Sequence, residues 1–169
     1  MGFMQVKMRA ATYRDVPALT EIFNQGIVDG NATFETVPRT PLQRQHWLEL
    51  LHDRRFRVYV AIAETGETVG YIALNRFTAR ECHSGISEIS VYVRRECRNQ
   101  KVGQQMLSFL SEEAKKLGFH KLVINVFAKN KIAIRSYRNS GFRKVGVWEK
   151  HALYHGEYAD MLLMEKLLL

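Results

Sequence analysis

Cysteine is almost absent from this chain, and so are the spacings that would give it a structural task. Cys82 and Cys97 are the only two. They show neither metal-ligand spacing nor a disulfide framework, so both are expected to be free thiols. The six histidines have no paired ligand spacing either, and no metal is expected. Only three prolines are present and no tract is compositionally biased, which excludes a long linker or a disordered arm. No internal repeat is visible. No apolar run approaches the roughly 20 residues of a membrane-spanning helix, so no membrane partner is expected. The opening residues, Met1-Gly2-Phe3-Met4-Gln5-Val6-Lys7, lack the apolar centre of a secretory signal. Val6 also stands where a myristoylation signal wants Ser or Thr. A cytoplasmic protein is expected.

What is present is ordinary globular material: 46% apolar and 25% charged residues over 169 positions. That is enough to bury a full core, and a single domain over residues 1–169 is expected. The unbalanced quantity is charge, formally +8. Such a surplus serves solubility, or it attracts a polyanion, either a phosphate-bearing cofactor or a nucleic acid. Basic residues are densest at Arg94-Arg95-Glu96-Cys97-Arg98-Asn99-Gln100-Lys101, just ahead of a helical pattern. A helix start is where a phosphate is best held. No DNA- or RNA-binding motif stands out, and no nucleic-acid partner is expected.

Periodicity supplies the elements. Gln5 to Ala10 alternates as an edge strand. Asp15 caps a helix to about Asp29, with Leu19, Ile22, Phe23 and Ile27 at helical spacing, and Gly30-Asn31 ends it. Thr40-Pro41 reads as an N-cap and a first-turn proline, opening a helix to about Asp53. Strands follow at Phe56 to Ala63, Thr68 to Phe77 and Ile86 to Val93, then a helix from Val102 to about Leu117. Leu122 to Phe127 is a buried strand, the Asn130 helix comes next, and Arg143 to Tyr154 and Glu157 to Leu167 form a closing pair. Trp47 and Trp148 are expected in the core, and His151 and His155 at a rim.

The densest chemical signal is Asn130-Lys131-Ile132-Ala133-Ile134-Arg135-Ser136-Tyr137-Arg138-Asn139-Ser140-Gly141-Phe142. Asn130 is a favoured N-cap, Ala133 and Tyr137 share a face, and Gly141 is a stop signal. A Tyr on such a face can donate a proton, and the capped end can meet a polar ligand. The second signal is strand Ile86 to Val93 running through the basic turn into the helix, with Arg98 and Gly103 at its ends. Free N–H groups and the helix dipole make that turn an anion site.

These motifs resemble the two cofactor motifs of the GNAT superfamily of N-acetyltransferases, and the element order matches that family along the whole chain. The resemblance implies an α/β, three-layer fold in the order β-α-α-β-β-β-α-β-α-β-β. Its sheet would be mixed and mostly antiparallel, with about seven strands and four helices. It implies acetyl-CoA as cosubstrate. Backbone of Val91, Tyr92 and Val93 would align the acetyl and pantetheine groups. Arg98, Asn99, Gln100, Lys101, Val102, Gly103 and Gln104 would hold the diphosphate. Asn130 and Ala133 would contact pantetheine, and Tyr137 would protonate the departing thiolate. Lys101 stands where the family favours Gly. It either weakens the loop by steric demand or leans outward and adds charge near a phosphate.

Ala32-Thr33-Phe34-Glu35-Thr36-Val37-Pro38-Arg39-Thr40-Pro41 is similar to a segment of phosphinothricin and methionine sulfoximine acetyltransferases, as is Ser87-Glu88-Ile89-Ser90-Val91-Tyr92-Val93. This implies a small amino-acid-like amine as acceptor, with Phe34 and Glu35 in its pocket and Glu88 as the base. Period two sets Glu88, Ser90 and Tyr92 on one strand face. Glu88 otherwise pairs with Arg76 or Arg80, which are also candidates for binding the acceptor's carboxylate. Other acceptors remain open, among them protein N-termini, lysines and polyamines. So do a CoA-sensing module without turnover, a basic nucleic-acid binder, and a homodimer.

Overall fold

The computed structural model describes residues 2–30, 32–51 and 55–169. The strands are β1 (Val6–Ala10), β2 (Val58–Ala63), β3 (Thr68–Arg76), β4 (Ile86–Val93), β5 (Lys121–Phe127), β6 (Arg143–Tyr154) and β7 (Glu157–Leu167). The helices are α1 (Val16–Asp29), α2 (Pro41–Leu50), α3 (Val102–Lys116) and α4 (Lys131–Asn139). Their order is the expected one. The strands form one sheet, β1-β2-β3-β4-β5-β7-β6, antiparallel throughout except for β4 against β5.

The helices divide by sheet face. Val58, Val60, Tyr71 and Ala73 pack with Leu19, Ile22, Phe23 and Ile27 of α1 and Leu48 of α2. On the other face, Tyr59, Ile72, Leu74 and Ile89 pack with Met106, Leu107 and Leu110 of α3. Antiparallel register links the faces across strands: Tyr92 lies opposite Tyr71, and Ile89 opposite Leu74. Glu88, Ser90 and Tyr92 therefore share the α1/α2 face, and Ser87, Ile89 and Val91 the α3 face.

Several local outcomes differ from the sequence reading. Helix α1 starts at Val16, because Asp15 ends a 3₁₀ turn. Its carboxylate accepts bonds from Arg9 at 2.7 and 2.8 Å and from the Thr12 N–H at 2.7 Å. Helix α2 ends at Leu50; the expected end at Asp53, like the stop at Asn31, lies outside the described residues. Thr40 caps α2 as expected, its Oγ1 accepting the Gln43 N–H at 3.2 Å. Trp148 is 44% exposed rather than in the core. It sits on β6, the sheet's last strand, whose one partner strand among the described residues is β7. Trp47 is partly buried, 6.0 Å from Tyr71.

Candidate active site

The site begins with a short pairing. Parallel strands β4 and β5 match only at Ile86 to Glu88 with Lys121 to Val123. Beyond that, β4 continues with β3 and β5 with β7, so two neighbours of one sheet separate. The Arg94 N–H donates to Val69 O at 2.8 Å, extending the β3 ladder. Antiparallel alternation then turns the backbone groups of Tyr92 and Ser90 toward β3 and those of Val91 and Val93 toward the opening. The result is a cavity of about 260 Å³ between the diverging strands. Val91, Tyr92, Asn125 and Phe127 line its walls, and Asn130, Ala133 and Tyr137 close one side.

Helix α4 is built as its sequence suggests. Asn130 Oδ1 accepts the Ala133 N–H at 3.1 Å, so the capping oxygen is committed to the helix. At the other end, Gly141 has φ 89°, a left-handed turn that favours glycine. The Phe142 N–H then reaches Tyr137 O at 3.0 Å. Tyr137 is 7% exposed yet lines the cavity. Burial, and secondarily the nearby Tyr92, push its hydroxyl well above the ordinary tyrosine range. It is a proton donor at every physiological pH.

The loop into α3 works through its backbone. Asn99 and Lys101 both have φ 61°, flanking Gln100. Left-handed residues alternating with others in a turn can form a concave nest of N–H groups. Among the described residues, no backbone N–H from Asn99 through Gln104 donates to another protein group, whereas the Gln105 N–H makes the first helical bond, to Lys101 O at 3.2 Å. A diphosphate fits such a donor set. The Lys101 side chain is exposed and Val102 is 1% exposed, packed in the core. Arg98 is otherwise engaged: its Nε donates to Val93 O at 3.2 Å and its guanidinium pairs with Asp29. Asp29 also holds Arg95 at 2.6 Å. Its carboxyl is held below the usual range, first by the hydrogen bond from Arg95, against a smaller opposing effect of burial.

Glu88 stands where the strands part, its Oε1 accepting from Asn125 Nδ2 at 3.1 Å. Burial raises its carboxyl above the ordinary range and the Asn125 bond partly offsets this. Asn75 donates to Glu88 O at 3.1 Å and to Ser90 Oγ at 2.9 Å, fixing that side of the strand. Phe34 completes the wall, its ring tilted 41° against Phe127 with ring centres 4.0 Å apart.

The structure brings Glu88, Tyr137, Phe34, Val91, Tyr92, Asn130 and Ala133 to one cavity. Val93 and the loop residues Arg98, Asn99, Gln100, Lys101, Val102, Gly103 and Gln104 lie outside that lining, and so do the three remaining acceptor candidates. Glu35 pairs with Arg39 beside the cavity loop. Arg76 is opposite Ser87 in register, so its side chain starts on the α3 face, away from Glu88; its guanidinium lies 5.2 Å from the Phe56 ring centre. Arg80 joins Arg76 in a separate depression of about 150 Å³ with Arg55 and His83. Asn125 escaped the sequence reading although its signal was present: it is the one polar residue inside Leu122 to Phe127. Thr33, Phe127 and Met161 also line the cavity; Thr33 lies within the similar segment Ala32 to Pro41, while nothing in the local sequence marks Phe127 or Met161.

Residues 8–163 match the family model described as an acetyltransferase (GNAT) domain. The chain is 28% identical to the L-methionine sulfoximine/L-methionine sulfone acetyltransferase of Pseudomonas aeruginosa, covering 96% of this chain and 94% of that one. It superposes with a TM-score of 0.91 on a ribosomal-protein-alanine N-acetyltransferase from Brucella melitensis, at 32% identity, covering 95% of this chain and 99% of the other. A phosphinothricin acetyltransferase from Sinorhizobium meliloti, solved in complex with AcCoA, also gives 0.91, at 25% identity over 97% and 89% of the two chains.

Proposed function

Because the chain belongs to the GNAT acetyltransferase family, we propose that it moves an acetyl group from acetyl-CoA to the primary amine of a small amino-acid-like acceptor. The observation that carries this is one cavity holding a carboxylate with a raised pKa, Glu88, and a protonated phenol, Tyr137, between two diverging strands. Bound acetyl-CoA supplies a thioester carbonyl and a thiolate that must depart. The N–H groups of Asn99 to Gln104 hold the diphosphate, and the free strand edge at Val91 and Val93 orients and polarises the acetyl carbonyl. Glu88, held by Asn125, takes a proton from the acceptor ammonium or amine, directly or through water. Tyr137 returns a proton to the sulfur.

Phe34 and Phe127 shape the acceptor end. With Arg76 and Arg80 in a separate depression, the acceptor's carboxylate is assigned to Lys129, whose Nζ lies 5.4 Å from the Phe127 ring centre. The Pseudomonas and Sinorhizobium relatives support an amino-acid analogue such as methionine sulfoximine or phosphinothricin. The Brucella relative supports a second reading, the α-amine of a protein N-terminus. Both acceptors present an α-amine; they differ in whether a free carboxylate sits beside it. The same proposal includes a homodimer, since edge strand β6 exposes Val145, Val147 and Trp148, and light scattering tests that part.

The test is an acceptor panel with acetyl-CoA and thiol detection: phosphinothricin, methionine sulfoximine, free amino acids, their amides, short peptides and polyamines. Free amino acids or their analogues react fastest. Faster reaction of peptides or polyamines overturns the acceptor class, and no thiol release with any amine overturns the transferase reading.

A further inference from the structure

We propose that the segment ahead of and entering β1 is the back support of the diphosphate loop, and that Gln105 is the positioning residue that joins the two. The inference rests on the reading of that loop as the acetyl-CoA diphosphate site. It starts from strain. Asn99 and Lys101 are both left-handed without being glycine, and such conformations persist only where the surroundings impose them. Side-chain caps do not impose this one, since Lys101 caps α3 with no side-chain bond.

The constraint comes from the far end of the sequence. The Met4 N–H donates to Gln100 O, the carbonyl between the two left-handed residues, at 3.1 Å. Gln105, in the first turns of α3, donates from Nε2 to Met4 O at 2.7 Å and accepts the Val6 N–H at Oε1 at 3.3 Å. Its carboxamide thus meets residues i and i+2 of one strand edge, as a backbone amide in a ladder would. Gly2 continues the contact: a Cβ there would stand 3.7 Å from the Gln100 side chain. The loop's carbonyls at Gln100 and Lys101 are thereby occupied, by the N–H groups of Met4 and Gln105, while its own N–H groups remain available to an anion. Gln105 touches no group that reacts. It acts through the loop, by keeping the donor nest formed before the ligand arrives.

The experiment compares Gln105→Leu with wild type in two titrations. One is calorimetry with CoA. The other follows S-acetylpantetheine, which lacks the diphosphate, by ligand-observed NMR. The lost carboxamide bonds, to Met4 O, from the Val6 N–H and to Lys101 O at 3.4 Å, weaken CoA by about tenfold and leave S-acetylpantetheine within about twofold. Met4→Pro removes the N–H that Gln100 accepts without altering α3, weakens CoA in the same selective way, and serves if Gln105→Leu does not fold. Equal loss for both ligands shows a merely structural role and overturns the inference. Unchanged CoA affinity in the variants overturns it alone, and a wild type that binds neither ligand overturns it together with the cofactor reading.

Discussion

The loop into α3 and the cavity between the strands are built on different principles. At the proposed diphosphate loop, an anion would meet backbone: Asn99 and Lys101, both left-handed, and the first N–H groups of α3. At the acceptor end it is side chains that converge, Phe34 from a loop, Glu88 from β4, Asn125 and Phe127 from β5, and Tyr137 from α4. The backbone end tolerates sequence change, because Lys can carry an N–H in the same place as Gly at a conformational cost. The side-chain end does not, because each group depends on strand register for its position. A shift of one residue along β4 would send Glu88 to the α3 face.

Substitutions separate the two ends. Glu88→Gln gives the largest effect, lowering kcat/KM by about 10²–10⁴-fold. In wild type the rate rises with pH as Glu88 ionises, at a pH above the ordinary carboxylate range, and this limb vanishes in the variant. Stability moves the other way. A raised native pKa means the folded state binds more protons than the unfolded one, so stability falls as pH rises from the unfolded to the folded pKa. Thermal melting across pH 4 to 8 therefore shows a smaller decline for Glu88→Gln than for wild type. Constant activity with a flattened melting profile would leave Glu88 a partly buried carboxyl and nothing more.

Tyr137→Phe follows, at about 10²-fold in kcat. A thiolate whose pKa is near that of cysteine, about 8.5, departs with less help than an alkoxide, which places this effect at the low end. Because the Tyr137 hydroxyl is raised by burial, wild type shows no loss of rate from its ionisation up to about pH 9. A basic limb below that pH that disappears in Tyr137→Phe would contradict the assignment.

Phe34→Ala removes an aromatic wall of the acceptor end. It raises the acceptor KM by about tenfold, the scale of a lost aromatic contact with its burial, while the KM for acetyl-CoA holds. Lys101→Gly is smallest. It relieves a left-handed lysine and stabilises the fold by about 1 kcal/mol, less the extra freedom of glycine in the unfolded chain. CoA affinity drops a few-fold through the lost charge, and the drop shrinks with salt. Tighter CoA binding by this variant would make the lysine a steric compromise.

The same contrast explains what could be read from sequence. Element order, the α4 cap at Asn130, the stop at Gly141 and the loop into α3 are local patterns, and each appears at the expected place. Glu88 was legible because period two needs only its own strand. Arg76 and Arg80 were not, because which face they take depends on the pairing Arg76 with Ser87. Gln105 was invisible for a stronger reason: its partners Met4 and Val6 lie about a hundred positions away.

The division of labour between loop and cavity is tested most directly by titrating acetyl-CoA calorimetrically into wild type and Glu88→Gln. If backbone holds the cofactor and Glu88 serves the amine, the two dissociation constants agree within about twofold while turnover differs by at least about a hundredfold. Affinity lost in parallel with turnover would show that Glu88 belongs to the cofactor end, and would contradict the account.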